Sequence, residues 1–216
     1  MKKTLYSLML SEDVVNEIDR LAHKYNTNRS NLINQILAER VNILTPEKRI
    51  NDIFTAMEQI MNASEEIVPF FAPNTVNMSL KSSLQYKYRP TVKYDIVLNR
   101  DNSPVLGELA ITFRSTSGEL ISGMREFFKL WISIEQLHLF PFLKGMTPEY
   151  ALVDGRFVRS LLVPQREFAS DDLASALCKY VKLFDDMMKG YLTGKYDSRD
   201  VEICYFSMLQ QAEFLF

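Results

Sequence analysis

Leu5-Tyr6-Ser7-Leu8-Met9-Leu10, running into Ser11-Glu12-Asp13, is the stretch whose reading decides the organisation of the chain. Under the two-residue period of a β-strand, Tyr6, Leu8 and Leu10 share one apolar face, while Leu5, Ser7 and Met9 share the other. Ser11 stands where a helix cap belongs, and the carboxylates of Glu12 and Asp13 suit the positive end of a helix. The helix that follows carries Val14, Val15, Ile18, Leu21, Ala22 and Tyr25 on one stripe and is expected to stop at Asn26-Thr27. A second helix starts at once, with Asn28 as its cap, Arg29-Ser30 in its first turn, and Leu32, Ile33, Ile36, Leu37 and Val41 at helical spacing.

One strand and two short helices make a poor monomer, because the strand has no sheet partner and its apolar face has little to cover it. A second copy cures both defects. Two strands paired antiparallel form a ribbon, four helices cover its inner face, and the expected dimer core is Tyr6, Leu8, Leu10, Ile18, Leu21, Ile33, Ile36 and Leu37.

Lys2-Lys3, the alternating strand ending in Leu10-Ser11-Glu12, and Asn28-Arg29-Ser30 at the second helix start resemble the ribbon-helix-helix family of DNA-binding regulators, the class of CopG, Arc and MetJ. The resemblance covers about 45 of 216 residues. It implies a homodimer, or a higher homo-oligomer, that lays its ribbon in the major groove of double-stranded DNA, where base edges carry a distinct code. It further implies that Leu5, Ser7 and Met9, with Lys3 at the ribbon's end, face the bases, and that Asn28, Arg29 and Ser30 grip a backbone phosphate. The sequence departs from the family in one respect: of the groove-facing positions in the strand, only Ser7 has a hydrogen-bonding side chain. Modest direct readout is therefore expected, with DNA shape or multiple sites supplying the rest.

Charge is distributed in keeping with this. The net charge of −2 divides into +2 for residues 1–50 and −4 for the remainder. No apolar stretch reaches the roughly 20 residues needed to cross a bilayer, and the N-terminus leads into strand-like alternation, so a cytoplasmic protein without a membrane partner is expected. Cys178 and Cys204 lack CxxC spacing, and the only histidines are His23 and His138. Buried thiols are the expectation.

Residues 46–74 read as a helical connector and loop. Thr45-Pro46-Glu47 starts a helix with Ile50, Ile53, Phe54, Met57, Ile60 and Met61 on one face, which needs either its twin in the dimer or the domain beyond; Pro69 to Asn74 reads as a rigid loop. Residues 75–216 read as an α+β domain for effector binding or oligomerisation. Four strands are expected, on Val76/Met78/Leu80, Leu84/Tyr86/Tyr88, Val92/Tyr94/Ile96/Leu98 and Val105/Leu109/Ile111/Phe113, forming an antiparallel sheet. A helix from Ser117 covers it, a strand spans Arg156 to Val163, and a helix capped at Ser170-Asp171-Asp172 ends at Gly194. The segment 198–216 fits either a strand or a helix.

This region shows no catalytic constellation, metal-ligand spacing or phosphate loop, so neither an enzyme nor a cofactor is expected. Tyr86, Tyr88 and Tyr94, interleaved with Lys87, Arg89 and Lys93, could line a pocket for an anionic effector, but alternation between core and solvent alone explains them and is the favoured account. A transcriptional regulator, with repression the expected mode, is the leading reading. The alternative is an antitoxin whose C-terminal domain binds a protein toxin.

Overall fold

A strand whose apolar residues fall at every second position buries one face only, and the middle of this fold is built from such a strand. The computed structural model describes residues 4–25, 27–63, 66–70, 77–84, 90–101, 103–143, 145–153, 155–212 and 216. In it Val92, Tyr94, Ile96 and Leu98 of β3 (Thr91–Leu98) all point into the core. β3 lies between β2 (Asn77–Ser83) and β4 (Val105–Phe113). β1 (Ile67–Phe70) flanks β2 at one edge; β6 (Arg156–Leu162) pairs with β4, and β5 (Tyr150–Val153) forms the other edge. Every pairing in the order β1-β2-β3-β4-β6-β5 is antiparallel. The outer face carries polar pairs such as Lys93–Asp95 at 2.8 Å, so the sheet is one-sided, as antiparallel sheets can be. The α+β class expected from patterning is the class observed.

Helices supply the other half of the core. α4 (Gly118–His138) buries Leu120, Met124, Phe127, Phe128, Trp131 and Ile134, the stripe read from its sequence. α5 (Ser170–Leu192) buries Leu173, Leu177, Tyr180, Val181 and Phe184. Their aromatic rings interlock with the sheet: Phe128 stacks on Phe157 of β6 at 5.1 Å, and Phe184 meets Trp131 edge-on at 4.8 Å. Removing each such side chain from water contributes about 1.5–3 kcal/mol, and an aromatic pair adds about 0.5–1.5 kcal/mol.

One local expectation changes, and two that were open between alternatives are decided. The apolar stripe of α3 (Pro46–Asn62) joins this core through Ile50, Ile53, Phe54, Met57 and Met61, packing against α5 and β1; it takes the domain beyond, not a twin. The rigid loop expected from Pro69 begins instead as strand, since Pro69 and Phe70 lie in β1, where an edge position tolerates a missing N–H. β2 and β3 pair directly with each other, and the Leu84 N–H donates to the Pro90 carbonyl at 3.0 Å; of the strand expected on Leu84, Tyr86 and Tyr88, Tyr86 and Tyr88 lie outside the described residues. The ambiguous tail is helical as α6 (Ser198–Gln211), because the Asp197 carboxylate caps it by accepting from the backbone N–H groups of Arg199 and Asp200.

A second, much smaller core lies at the N-terminus. α1 (Glu12–Lys24) and α2 (Arg29–Arg40) bury Ile18, Ala22 and Leu32 between them, with Leu21 and Ile33 half-covered alongside. No helix among the described residues is long and apolar enough to cross a membrane.

Candidate nucleic-acid interface

The strand expected over residues 5–10 is not formed within the single chain. Residues 4–11 adopt neither helix nor strand, and residues 4–10 are all exposed. The physical reason lies in the sequence itself: a strand needs a ladder partner, and the described sheet offers none to this segment. Leu5 and Met9 stand almost wholly in solvent, at 98% and 99%, but so does Tyr6 at 85%, so the two faces are not yet distinguished by burial. Ser7 is exposed between them. Lys3 lies outside the described residues.

Of the expected dimer core, Ile18 is buried, Leu21 and Ile33 are half-buried, and Tyr6, Leu8, Leu10, Ile36 and Leu37 remain exposed. The division follows the chain's own geometry. The residues facing the α1–α2 contact are covered, and those facing away from it are bare.

The start of α2 is built as its sequence implies. Asn28 has extended backbone, and its side-chain oxygen accepts the Asn31 N–H at 2.9 Å, leaving Asn28, Arg29 and Ser30 exposed on the helix end. At the start of α1, Ser11 holds the cap position without a side-chain capping bond. Arg29 departs from the expected picture of a waiting phosphate ligand. Its guanidinium forks onto the Asp19 carboxylate of α1, with Nε at 2.7 Å from Oδ1 and Nη2 on Oδ2. That hydrogen bonding, reinforced by charge, holds the Asp19 carboxyl below the ordinary aspartate range. Beside this end, Tyr25, Thr27, Asn31, Gln35 and Glu47 line a small polar cleft of about 360 Å³ reached by Arg100.

The other candidate groups resolve into core chemistry. Tyr94 is buried and donates its hydroxyl to Asp185 at 2.7 Å, and burial followed by the Asp185 charge pushes its pKa well up. Ser82 donates to the same carboxylate at 2.9 Å and Lys189 pairs with it at 2.6 Å. Tyr94 therefore points away from Lys93, which meets Asp95 on the outer face; Lys87 and Arg89 lie outside the described residues. His138 of α4 pairs with Glu202 of α6 at 2.7 Å. Cys178 is buried, and burial pushes its thiol up to about 12, away from reactivity.

Sequence reasoning missed one cluster entirely. Glu135 and Arg159, 0% and 1% exposed, form an ion pair of 2.9 Å inside the large core. Glu135 accepts from Tyr180 and Tyr205 on Oε1, at 2.9 and 3.2 Å, and from Tyr150 and Arg159 on Oε2, at 2.7 and 2.9 Å. A carboxylate holding two donors on each oxygen is saturated, with no lone pair left for a substrate proton. Trp131 completes the network by donating to the Tyr180 hydroxyl at 2.9 Å.

Compared with known proteins, the chain matches no family model, no curated protein and no solved structure.

Proposed function

We propose that this chain is a DNA-binding transcriptional regulator, acting as a repressor, that reads its operator as a dimer. Residues 4–10 of two copies pair into a ribbon, the odd-numbered positions Leu5, Ser7 and Met9 enter the major groove, and the α2 helix starts grip flanking phosphates. The observation that carries this reading is the distribution of exposed apolar surface. Of the 21 large apolar side chains exposed among the described residues, twelve lie within the first 44. A soluble unit does not leave so much apolar surface concentrated beside a core of three buried residues unless something covers it. A second copy supplies both the missing ladder and the missing cover. The large domain, with a core of its own, then serves to hold DNA-binding units together, which raises affinity through effective concentration without new base contacts.

The test compares the full chain with its Leu8→Asp variant, by light scattering for mass and by binding to fragments of the host genome. Leu8→Asp should be monomeric through this unit and lose DNA binding, while its far-UV spectrum keeps the signature of the large domain. A variant that stays dimeric through residues 4–44 and binds DNA as well as the parent removes the ribbon from the account.

A further inference from the structure

α5 and α6 are joined by a short turn that includes Tyr196, and between them opens a cleft of about 700 Å³. Such a volume lies in the roughly 300–1,000 Å³ range of sites for small organic molecules. Its walls are one face of each helix: Ala176, Leu183 and Met187 from α5, and Ile203 and Met208 from α6. Leu183 and Met208 are only half-buried and Ile203 is exposed, so the two helices do not close on each other here.

The chemistry at one end is set by Arg159, which reaches the cleft from β6. Its Nε goes to Glu135, its Nη1 donates to the Ser160 carbonyl at 3.3 Å, and its Nη2 donates to the Phe216 carbonyl. A guanidinium has more N–H donors than these three bonds use. Phe216 is itself buried; its ring meets Tyr180 edge-on at 5.7 Å and lies 5.6 Å from the Arg159 guanidinium. The chain thus places an aromatic ring and an oxygen acceptor, as a pair, on Tyr180 and Arg159. Around the rim, Lys179 is exposed, whereas the Asp172 carboxylate accepts the Ala169 N–H at 3.2 Å and the Asp186 carboxylate accepts from Tyr196 at 3.5 Å.

We propose that the α5–α6 cleft is a binding site for an arylalkyl carboxylate. The carboxylate takes the donors of Arg159, the ring takes the Tyr180 face, and the alkyl portion lies along Leu183 and Met208. Phe216 is the internal occupant that such a ligand displaces.

Trp131 is the only tryptophan, and its bond to Tyr180 makes its emission a reporter for this end of the cleft. Titrating the full chain with 3-phenylpropionate should give a saturable change in that emission. Phe216→Ala, shown to be folded by far-UV circular dichroism, should bind about tenfold tighter because the ring that competes for Tyr180 is gone. The neutral 3-phenylpropanol should bind at least about tenfold weaker, since it cannot engage a charged donor as a carboxylate does. Leu183→Asp, on the half-exposed wall, should abolish binding. Absence of saturable binding in the parent chain, or equal affinity for acid and alcohol, overturns the assignment, and both are read without Phe216→Ala should that variant not fold. Probe-independent self-association that Leu183→Asp abolishes gives the cleft to a second copy and overturns it as well. The readout contains no DNA, so its failure and the failure of operator binding are separate results.

Discussion

The Arg29 guanidinium, at the first position of α2, is clamped by the Asp19 carboxylate of α1, ten residues earlier in the chain. Both side chains are about half exposed, so the pair is open to solvent and to competition from a phosphate. In the proposed complex, a phosphate at the α2 start competes with Asp19 for the same donors.

Asp19→Asn should therefore strengthen DNA binding, by about threefold at low salt, and steepen its salt dependence by up to about one counterion. Arg29→Ala should do the reverse and act alike on all sequences, because a phosphate contact carries no base information. Ser7→Ala should instead reorder operators by affinity. Binding isotherms at several salt concentrations decide the matter, and an Asp19→Asn variant indistinguishable from its parent would mean that Arg29 does not reach a phosphate.

The buried pair of Glu135 and Arg159 yields a stability prediction. Glu135→Gln leaves the Arg159 charge without its partner and should cost about 3–5 kcal/mol in urea denaturation. Removing both charges together, as Glu135→Leu with Arg159→Met, should cost clearly less than the sum of the single changes, since neither charge is then stranded.

Alkaline pH should unfold the chain steeply. Tyr94, Tyr150, Tyr180 and Tyr205 all have pKa values raised above the ordinary 10, through burial first and then the carboxylates they bond. Below about pH 10 these groups are neutral in both states, and their contribution is fully present. Above it the unfolded chain releases protons that the folded chain retains, so stability falls as pH rises. Four such groups give a slope approaching about 5 kcal/mol per pH unit. Tyrosinate absorbance should show these four ionising only with unfolding, and Tyr205→Phe should flatten the slope.

Two glycines should respond oppositely to alanine. In β4, a Cβ on Gly107 would sit 2.0 Å from the Val97 carbonyl oxygen, a backbone wall that cannot rotate aside, so Gly107→Ala should cost at least about 2 kcal/mol. Around Gly118, at the start of α4, there is open space, and Gly118→Ala should stabilise by about 0.5–1 kcal/mol. Paired thermal denaturation curves measure both.

Residues with a local period were legible in the sequence. The β3 alternation and the α4 stripe each need only neighbours two, three or four residues away, and both appear in the structure as read. β5 pairs antiparallel with β6, and Gly155, just before β6, sits at φ 76°, a left-handed backbone that glycine adopts without strain and that no periodicity announces. Pro69 argued for a loop because proline breaks ladders, and only knowing that β1 is an edge reverses that inference. Glu135 was not recognisable at all. Its donors stand 15, 24, 45 and 70 residues away, and nothing near it in the chain distinguishes it from a solvated glutamate. Asp19 does lie on the exposed face of α1, and its tie to Arg29 of α2, ten residues on, exists only after the turn between the helices closes.

The sheet's two rims bear on how copies of the chain can meet. β1 and β5 are each four residues long, β1 contains Pro69, and Lys81 lies 4.1 Å over the Phe70 ring that would otherwise be bare. Both rims are short, and the β1 rim is also proline-bearing and partly covered by a cation, so they are poor seeds for strand-by-strand stacking. Growth of an open-ended fibre through the sheet is thereby disfavoured. In the proposed dimer, contact through the N-terminal residues uses the same patch on both copies, so it would close on itself after two and make assembly there self-limiting.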